Sequence, residues 1–473
     1  MKSFPRYIGA QVNIFLSLIF VVFSFASASA QTSYADLVSR VSPAVVTIRS
    51  TERARQAQQF PFMDDPSFRE FFGDRFPQQQ TPRRVEGVGS GVIVSPDGYI
   101  LTNHHVVDGA LEIKVELTDN RTFTAKLIGS DPPSDLAVLK IEDGKALPTL
   151  SLGDSDKVRV GDAVLAVGNP LGIGQTVTSG IVSAKGRTTG LSDGSFEDFL
   201  QTDAAINRGN SGGALVNTTG ELIGINSQIL SPSGGNIGIG FAIPSNMAKA
   251  VMDQLMKTGK VRRGMLGVTI QSVDSDMASS LNLPAARGAI VTSISAGGPA
   301  DKAGIKRGDV IVAINKQPVV DNNSLRNLVA KMSPGSNVEV SAVRNGRDQN
   351  FQVALAELPV RGEERDSEET SSTRGATGNE KFGLTLQPLT PELASRYGLD
   401  ADDQGLLVTK VDPASNAAGE GIRQGDLIQE VNRQPVKTFA EFNAAMGQSG
   451  TKPALVLIKR RNNVTYITLK PGS

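Results

Sequence analysis

The sequence predicts a mainly β, multi-domain protein, and three observations carry that reading. Short runs rich in β-branched residues recur from Asp36 to about Ile243, divided by Gly, Asp, Asn and Pro. The C-terminal half repeats itself at a fixed offset. The chain has 473 residues, room for about three domains of ordinary size. Composition removes several function classes. With 48 basic and 48 acidic residues the formal charge is zero, which argues against a nucleic-acid footprint. The absence of cysteine excludes disulfides, thiolate nucleophiles and Cys-ligated metal centres. Only two histidines are present, and they are adjacent, so any imidazole chemistry must use one or both.

The N-terminus opens with Lys2 and Arg6, an apolar run from Ile14 to Phe25, and small residues through Ala28 and Ala30. That pattern fits a cleaved signal peptide over 1–30, with Gln31 as the first mature residue. The other reading is an uncleaved anchor, but the apolar core is about a dozen residues, short of the ~20 a spanning helix needs. Residues 31–260 then read as the strand-rich domain. Its candidate strands include Val45–Ile48, Gly91–Val94, Ala137–Ile141, Val164–Val167 and Leu222–Ile225. A long loop over 51–84 carries six phenylalanines, including Phe60, Phe68 and Phe76, so it either packs locally or docks on a neighbour. A second loop, Ser183–Asp198, is polar and Gly-rich. Met247, Val251 and Leu255 lie at helical spacing behind a Ser N-cap, which predicts a closing helix over Ser245–Thr258.

The repeat aligns Arg287–Val319 with Gln404–Val436 at an offset of 117, with 13 identities in 33 positions. Its shared core is Gly304-Ile305-x-x-Gly308-Asp309 against Gly421-Ile422-x-x-Gly425-Asp426, and each copy continues into a helix near Leu325–Met332 or Glu441–Met446. So long a period indicates two copies of a small domain, 261–358 and 381–473. Between them, 359–380 is charged and Ser/Thr/Gly-rich and reads as a flexible linker.

Three segments bear chemistry: Asn103-His104-His105-Val106 after a strand, Ser134-Asp135-Leu136-Ala137 opening another, and Gly209-Asn210-Ser211-Gly212-Gly213 before a third. Nucleophilic acyl transfer needs this set. A serine hydroxyl is a weak nucleophile until an imidazole takes its proton, and a buried carboxylate fixes the tautomer and stabilises the imidazolium. The alternative for Asp135 is a turn cap. The glycines around Ser211 let backbone amides of Gly209, Asn210 and Ser211 converge, with those of Gly209 and Ser211 aimed at an oxyanion, a contribution of roughly 2.7–4 kcal/mol per donor.

In the order His, Asp, Ser, these segments resemble the trypsin/chymotrypsin superfamily, and the repeats resemble PDZ domains. The whole chain resembles HtrA/Do-type (DegP/DegQ-like) periplasmic serine proteases. The resemblance implies a double β-barrel followed by two PDZ domains, and catalysis by His105, Asp135 and Ser211. His105 is the base because it directly precedes Val106; His104 is then a bystander at the strand end. It implies a shallow apolar primary pocket from Ala205, Ile206 and Ile239, suited to Val, Ala or Ile. It places peptide C-termini on Met265-Leu266-Gly267-Val268 of the first PDZ copy, by strand addition. The second copy, from Phe382, lacks an obvious extended loop and is as readily a scaffold. The Ser183–Asp198 and Gln228–Asn236 loops match activation loops.

The expected activity is ATP-independent endoproteolysis of unfolded or damaged exported proteins in a periplasm, with chaperone activity beside it. No P-loop is present, and two side-by-side histidines make no metal pattern, so neither cofactor nor metal is expected. Expected partners are unfolded proteins and their C-terminal peptides, and further copies of the chain in trimer-based assemblies and larger cages. No nucleic acid and no stable membrane anchor are expected. Two other readings compete: a holdase whose protease site is incidental, and a regulatory protease cutting one membrane target. The intact triad opposes the first. The second usually carries an anchor and a single PDZ domain.

Overall fold

The computed structural model describes residues 33–53, 84–169, 174–189, 196–207, 209–231, 235–359 and 381–470. The expected signal peptide over 1–30, nearly all of the Phe-rich 51–84 segment and all but the first residue of the expected 359–380 linker lie outside these residues.

After helix α1 (Ala35–Val41), strands β1 (Val45–Arg53), β2 (Arg84–Ile93), β3 (Tyr99–Thr102), β4 (Ala110–Glu116), β5 (Thr122–Thr124), β6 (Lys126–Asp131) and β7 (Leu136–Lys140) form one antiparallel sheet in the order β5-β4-β1-β2-β3-β7-β6. A second group, β8 (Ala163–Gly168), β9 (Thr176–Arg187), β10 (Phe199–Thr202), β11 (Ala214–Asn217), β12 (Leu222–Ile229) and β13 (Gly240–Pro244), closes into a barrel. The expected pair of barrels is thus one closed barrel and one sheet with unpaired edges. Its edge strands cannot seal it: β5 has three residues, and a bulge between Leu127 and Gly129 breaks the β6–β7 register. Each unit has its own core, around Ile48, Ile93 and Leu139 in the first and Leu200, Ile206 and Ile223 in the second. A third cluster joins them, with Val92, Leu101 and Val138 meeting Leu165, Val167 and Val216. That junction carries the site.

Helix α3 (Ser245–Thr258, after the short helix α2, His104–Val107) seals the junction with Ala248, Val251 and Leu255. Its N-cap is Pro244, not a serine: Ser245 is buried and donates to the Gly153 carbonyl at 2.6 Å. Gly259, at φ 74, ends the helix.

The two repeats fold alike. The first has β14 (Gly264–Met265), β15 (Val268–Ser272), α4 (Ser275–Ser280), β16 (Ala289–Ile294), α5 (Pro299–Lys302), β17 (Val310–Ile314), β18 (Gln317–Pro318), α6 (Asn322–Ala330), β19 (Asn337–Arg344), β20 (Arg347–Ala354) and β21 (Ala356–Glu357). The second has β22 (Leu384–Pro388), α7 (Pro391–Tyr397), β23 (Leu406–Val411), α8 (Asn416–Gly419), β24 (Leu427–Val431), β25 (Gln434–Pro435), α9 (Phe439–Gly447), β26 (Ala454–Arg460) and β27 (Asn463–Leu469). The repeated helices begin ahead of the expected Leu325 and Glu441, because Asp321 and Thr438 form capping boxes with Ser324 and Glu441. The repeated Gly-Asp turn has a structural purpose. Asp309 and Asp426 are buried carboxylates gripped bidentately by Arg344 and Arg460, which also bond the Gly304 and Gly421 carbonyls.

The repeats also pack on each other. Val273, Met277, Leu281 and Val310 share a core with Leu455, Leu457 and Tyr466. The Gln271 side chain bonds the Tyr466 backbone at both its carbonyl and its amide, at 3.0 Å each.

Candidate active site

The cleft at the junction has a volume of about 540 Å³ and is lined by His105, Asp135, Ser211, Ile206, Ile229 and Phe196 among others. The three candidate catalytic side chains, 30 and 76 residues apart in sequence, face one space.

His105 comes from α2, a single turn begun by Asn103 at the end of β3. Asp135 follows the 3₁₀ turn Pro132–Ser134 in a left-handed conformation at φ 53. Asp131, not Asp135, caps that turn, accepting from the Ser134 amide at 3.1 Å. The Asp135 backbone is anchored through its carbonyl, which accepts from the His104 amide at 3.1 Å and the Asn103 side chain at 2.9 Å. Its carboxylate accepts from His105 Nδ1, at 2.9 Å from each oxygen, and from the His105 amide at 3.1 Å. With Nδ1 as donor, Nε2 is left as the acceptor. His104 faces elsewhere, with Nε2 3.7 Å from Asp108 Oδ1.

Ser211 sits in the turn before β11. Its hydroxyl donates to the Ser227 carbonyl at 2.8 Å rather than to His105. Ser227 also donates its own hydroxyl to Asp135 Oδ2 at 2.9 Å. Ser227 is therefore a site residue with no local sequence signature: it lies 92 residues from Asp135 within a strand. The two glycines after Ser211 are structural requirements. Gly212 has φ 83, and a Cβ on it would lie 2.1 Å from the Ser90 carbonyl oxygen; one on Gly213 would lie 2.3 Å from the Val167 carbonyl oxygen.

Of the expected oxyanion donors, Gly209 and Ser211 have amides that reach no acceptor among the described residues. The Asn210 amide is a correction: it donates to the Asn207 carbonyl at 3.0 Å, closing the turn, and is not free to bind an oxyanion.

The pocket expectation also changes. Ile206 is buried and lines the cleft, and Gly240 leaves room for it, since a Cβ there would meet Ile206 Cδ1 at 3.0 Å. Ala205 is half-buried, accepts from the Thr178 hydroxyl at 2.9 Å and does not line the cleft. Ile239 packs on the core that joins the sheet and the barrel; Ile229, across the β12–β13 ladder, supplies the second aliphatic wall.

Of the candidate peptide-binding residues, Met265 pairs with Ala356, Leu266 is buried in the module core and Val268 opens β15. Gly267 turns at φ 75, and the Leu266 and Gly267 carbonyls accept from the Ala300 and Ser295 amides, both at 2.9 Å. The first repeat touches the catalytic half directly. Arg263 grips Asp131 bidentately and lies 4.5 Å over the Phe196 ring. Asn323 and Asn327 of α6 donate to the Glu197 carbonyl at 2.8 and 2.6 Å.

Comparison with known proteins agrees with this arrangement. The chain matches the trypsin-like peptidase domain family over residues 89–225 and the PDZ domain family over 261–355 and 371–458. It is 44% identical over 421 residues to a probable periplasmic serine endoprotease DegP-like of Chlamydia trachomatis, covering 89% of this chain and 82% of that one. It is 42% identical over 441 residues to the periplasmic pH-dependent serine endoprotease DegQ of Escherichia coli, covering 93% and 91%. Among solved structures, the HtrA-type protease AlgW with a decapeptide is 47% identical and superposes with a TM-score of 0.56, covering 70% of this chain and all of that one.

Proposed function

The chain belongs to the HtrA-type, DegP/DegQ-like family of serine endoproteases, and from that premise we propose that it cleaves unfolded exported proteins by acyl transfer through Ser211, His105 and Asp135. The observation that carries the proposal is the bifurcated bond from His105 Nδ1 to both Asp135 carboxylate oxygens, which leaves Nε2 as the acceptor, with His105 and Ser211 lining one cleft. For attack, the Ser211 hydroxyl leaves the Ser227 carbonyl, turns to His105 Nε2 and gives up its proton as Oγ bonds the scissile carbonyl carbon. The imidazolium is stabilised by Asp135 and then protonates the leaving amine; water repeats the sequence to release the acyl group. The Gly209 and Ser211 amides are the donors suited to the oxyanion. Ile206 and Ile229 favour a small aliphatic side chain ahead of the cut.

The proposal extends to partners and place. The first PDZ unit captures peptide C-termini at Met265–Val268, raising their concentration near Ser211. Trimer-based homo-oligomers and export to the periplasm by a signal peptide over 1–30 complete the reading. It is supported by relatives named as periplasmic, and among the described residues no helix is long and apolar enough to cross a membrane. The segment boundaries proposed are 31–260, 261–358, 359–380 and 381–473. Digestion of denatured casein with cleavage-site mapping tests the function: wild type cuts after Val, Ala or Ile, and Ser211→Ala does not cut. Equal degradation by both would exclude it.

A further inference from the structure

We propose that Ser90 is a positioning residue that holds the oxyanion turn in its donating conformation; the proposal rests on the serine-protease reading above. Ser90 lies on β2, in the first sheet, and is fully buried. Its hydroxyl donates to the Gly209 carbonyl at 2.6 Å and accepts from the Asn169 amide at 2.9 Å. Its own amide donates to the Ser211 carbonyl at 2.8 Å, and its carbonyl accepts from the Thr102 hydroxyl at 2.7 Å, on the strand that leads to His105. One side chain and its peptide groups thus reach the nucleophile turn, the end of β8 and the histidine strand.

The peptide units of the turn show what this achieves. The 209–210 unit is pinned at both ends, its carbonyl by the Ser90 hydroxyl and its N–H by the Asn207 carbonyl at 3.0 Å. The 211–212 unit is pinned likewise, its carbonyl by the Ser90 amide and its N–H by the Asn226 carbonyl at 2.8 Å. The intervening 210–211 unit is held by its carbonyl, which accepts from the Gly213 amide at 2.9 Å, so its N–H, that of Ser211, is left to point away. A peptide unit anchored at one end rotates only if its neighbours give way, so the doubly anchored units on either side keep the 210–211 unit, and the Ser211 N–H, in place. Gly209, at φ 96, carries no side chain to resist such a rotation, so the restraint must come from outside the turn. The hydroxyl of Ser90 is the only side-chain group among the described residues that bonds a carbonyl of the 209–211 stretch. Preorganised donors act because they need no reorganisation when charge develops. Removing the hydroxyl frees the 209–210 carbonyl and leaves the Asn169 amide without its acceptor.

The test is Ser90→Ala, with Ser90→Cys as a near-isosteric variant that keeps a weak donor. Active sites are titrated so that only folded enzyme is counted. The readouts are kcat and KM on a chromogenic peptide, and affinity for a peptide boronate, whose tetrahedral adduct with Ser211 places an oxygen in the oxyanion position. Losing one oxyanion donor outright costs about 10²–10³ in kcat. Loosening the turn is expected to cost about tenfold in kcat and a similar factor in boronate affinity, with KM within about twofold and Ser90→Cys between. A wild-type kcat and boronate affinity in either folded variant would overturn the proposal, as would a loss confined to KM. If wild type and Ser211→Ala digest substrate alike, the protease reading fails and takes this proposal with it. If Ser211→Ala is inert and Ser90→Ala matches wild type, the proposal fails alone.

Discussion

Arg263→Ala should weaken both the fold and the catalysis, because Arg263 joins the first repeat to the turn that presents Asp135. The guanidinium bonds Asp131 through Nη1 at 2.8 Å and Nη2 at 2.5 Å, and the two side chains are only 9% and 6% exposed. Removing one member of a buried ion pair costs about 3–5 kcal/mol, since the other charge stays buried. Here Asp131 keeps its bonds to the Ser134 amide and hydroxyl, which favours the lower end. Stacking on Phe196 adds about 0.5–1 kcal/mol. The expected loss is about 3.5–4 kcal/mol. At a urea slope of about 2 kcal/mol per molar, the midpoint of the protease-domain transition falls by about 2 M. The chain has no Trp, so the transition is followed by circular dichroism. Because Asp131 also caps the Pro132–Ser134 turn, kcat should fall several-fold alongside. A double-mutant cycle with Asp131→Ala should return a coupling energy of about 2–3 kcal/mol. A loss under 1 kcal/mol, or a coupling near zero, would refute the reasoning.

Two further predictions concern residues that the structure brings together across long sequence separations. Tyr466 is 1% exposed, its hydroxyl has no partner among the described residues, and burial pushes its phenol well above the ordinary range. Tyr466→Phe should therefore be neutral or stabilising by up to about 1 kcal/mol, while Tyr466→Ala should cost about 3–5 kcal/mol and loosen the two repeats; limited proteolysis and thermal melting read both, and a destabilised Tyr466→Phe would contradict the account. Ser227→Ala removes one of the bonds to the Asp135 carboxylate and should lower kcat/KM about tenfold, with an unchanged melting temperature; an unchanged kcat/KM would show that His105 alone holds the carboxylate.

What the sequence made legible is what local chemistry encodes. The proposed catalytic trio is legible because each member sits in a short pattern with its own mechanical reason: a histidine at a strand end, an aspartate after a Pro-Pro-Ser turn, a serine among glycines. The repeat carried through at one offset of 117 from β16 to β23 and from α6 to α9, since both copies solve one packing problem. What stayed hidden depends on contacts distant in sequence. Ser227 and Ser90 sit in ordinary strands and gain their place only when the two sheets meet. Arg344 and Arg460, which explain the repeated aspartates, stand 35 and 34 residues away, because the path from α9 into the paired part of β26 is one residue shorter than that from α6 into β19. Ile239 packs on the core instead of lining the cleft because the face that β13's entry turns to the cleft is set by its pairing with β12, where Ile229 takes that place. Ser245 looked like a cap, but the close approach of Gly153 gave it a buried partner instead.

The central claim is that Ser211 is the nucleophile, armed by His105 and held by Asp135. Labelling with a fluorophosphonate, followed by mass mapping of the adduct, tests it most directly. The account predicts one adduct, on Ser211, formed rapidly by wild type, at least 10³-fold more slowly by His105→Ala, and not at all by Ser211→Ala. An adduct elsewhere, or labelling of Ser211 at the same rate without His105, would contradict it.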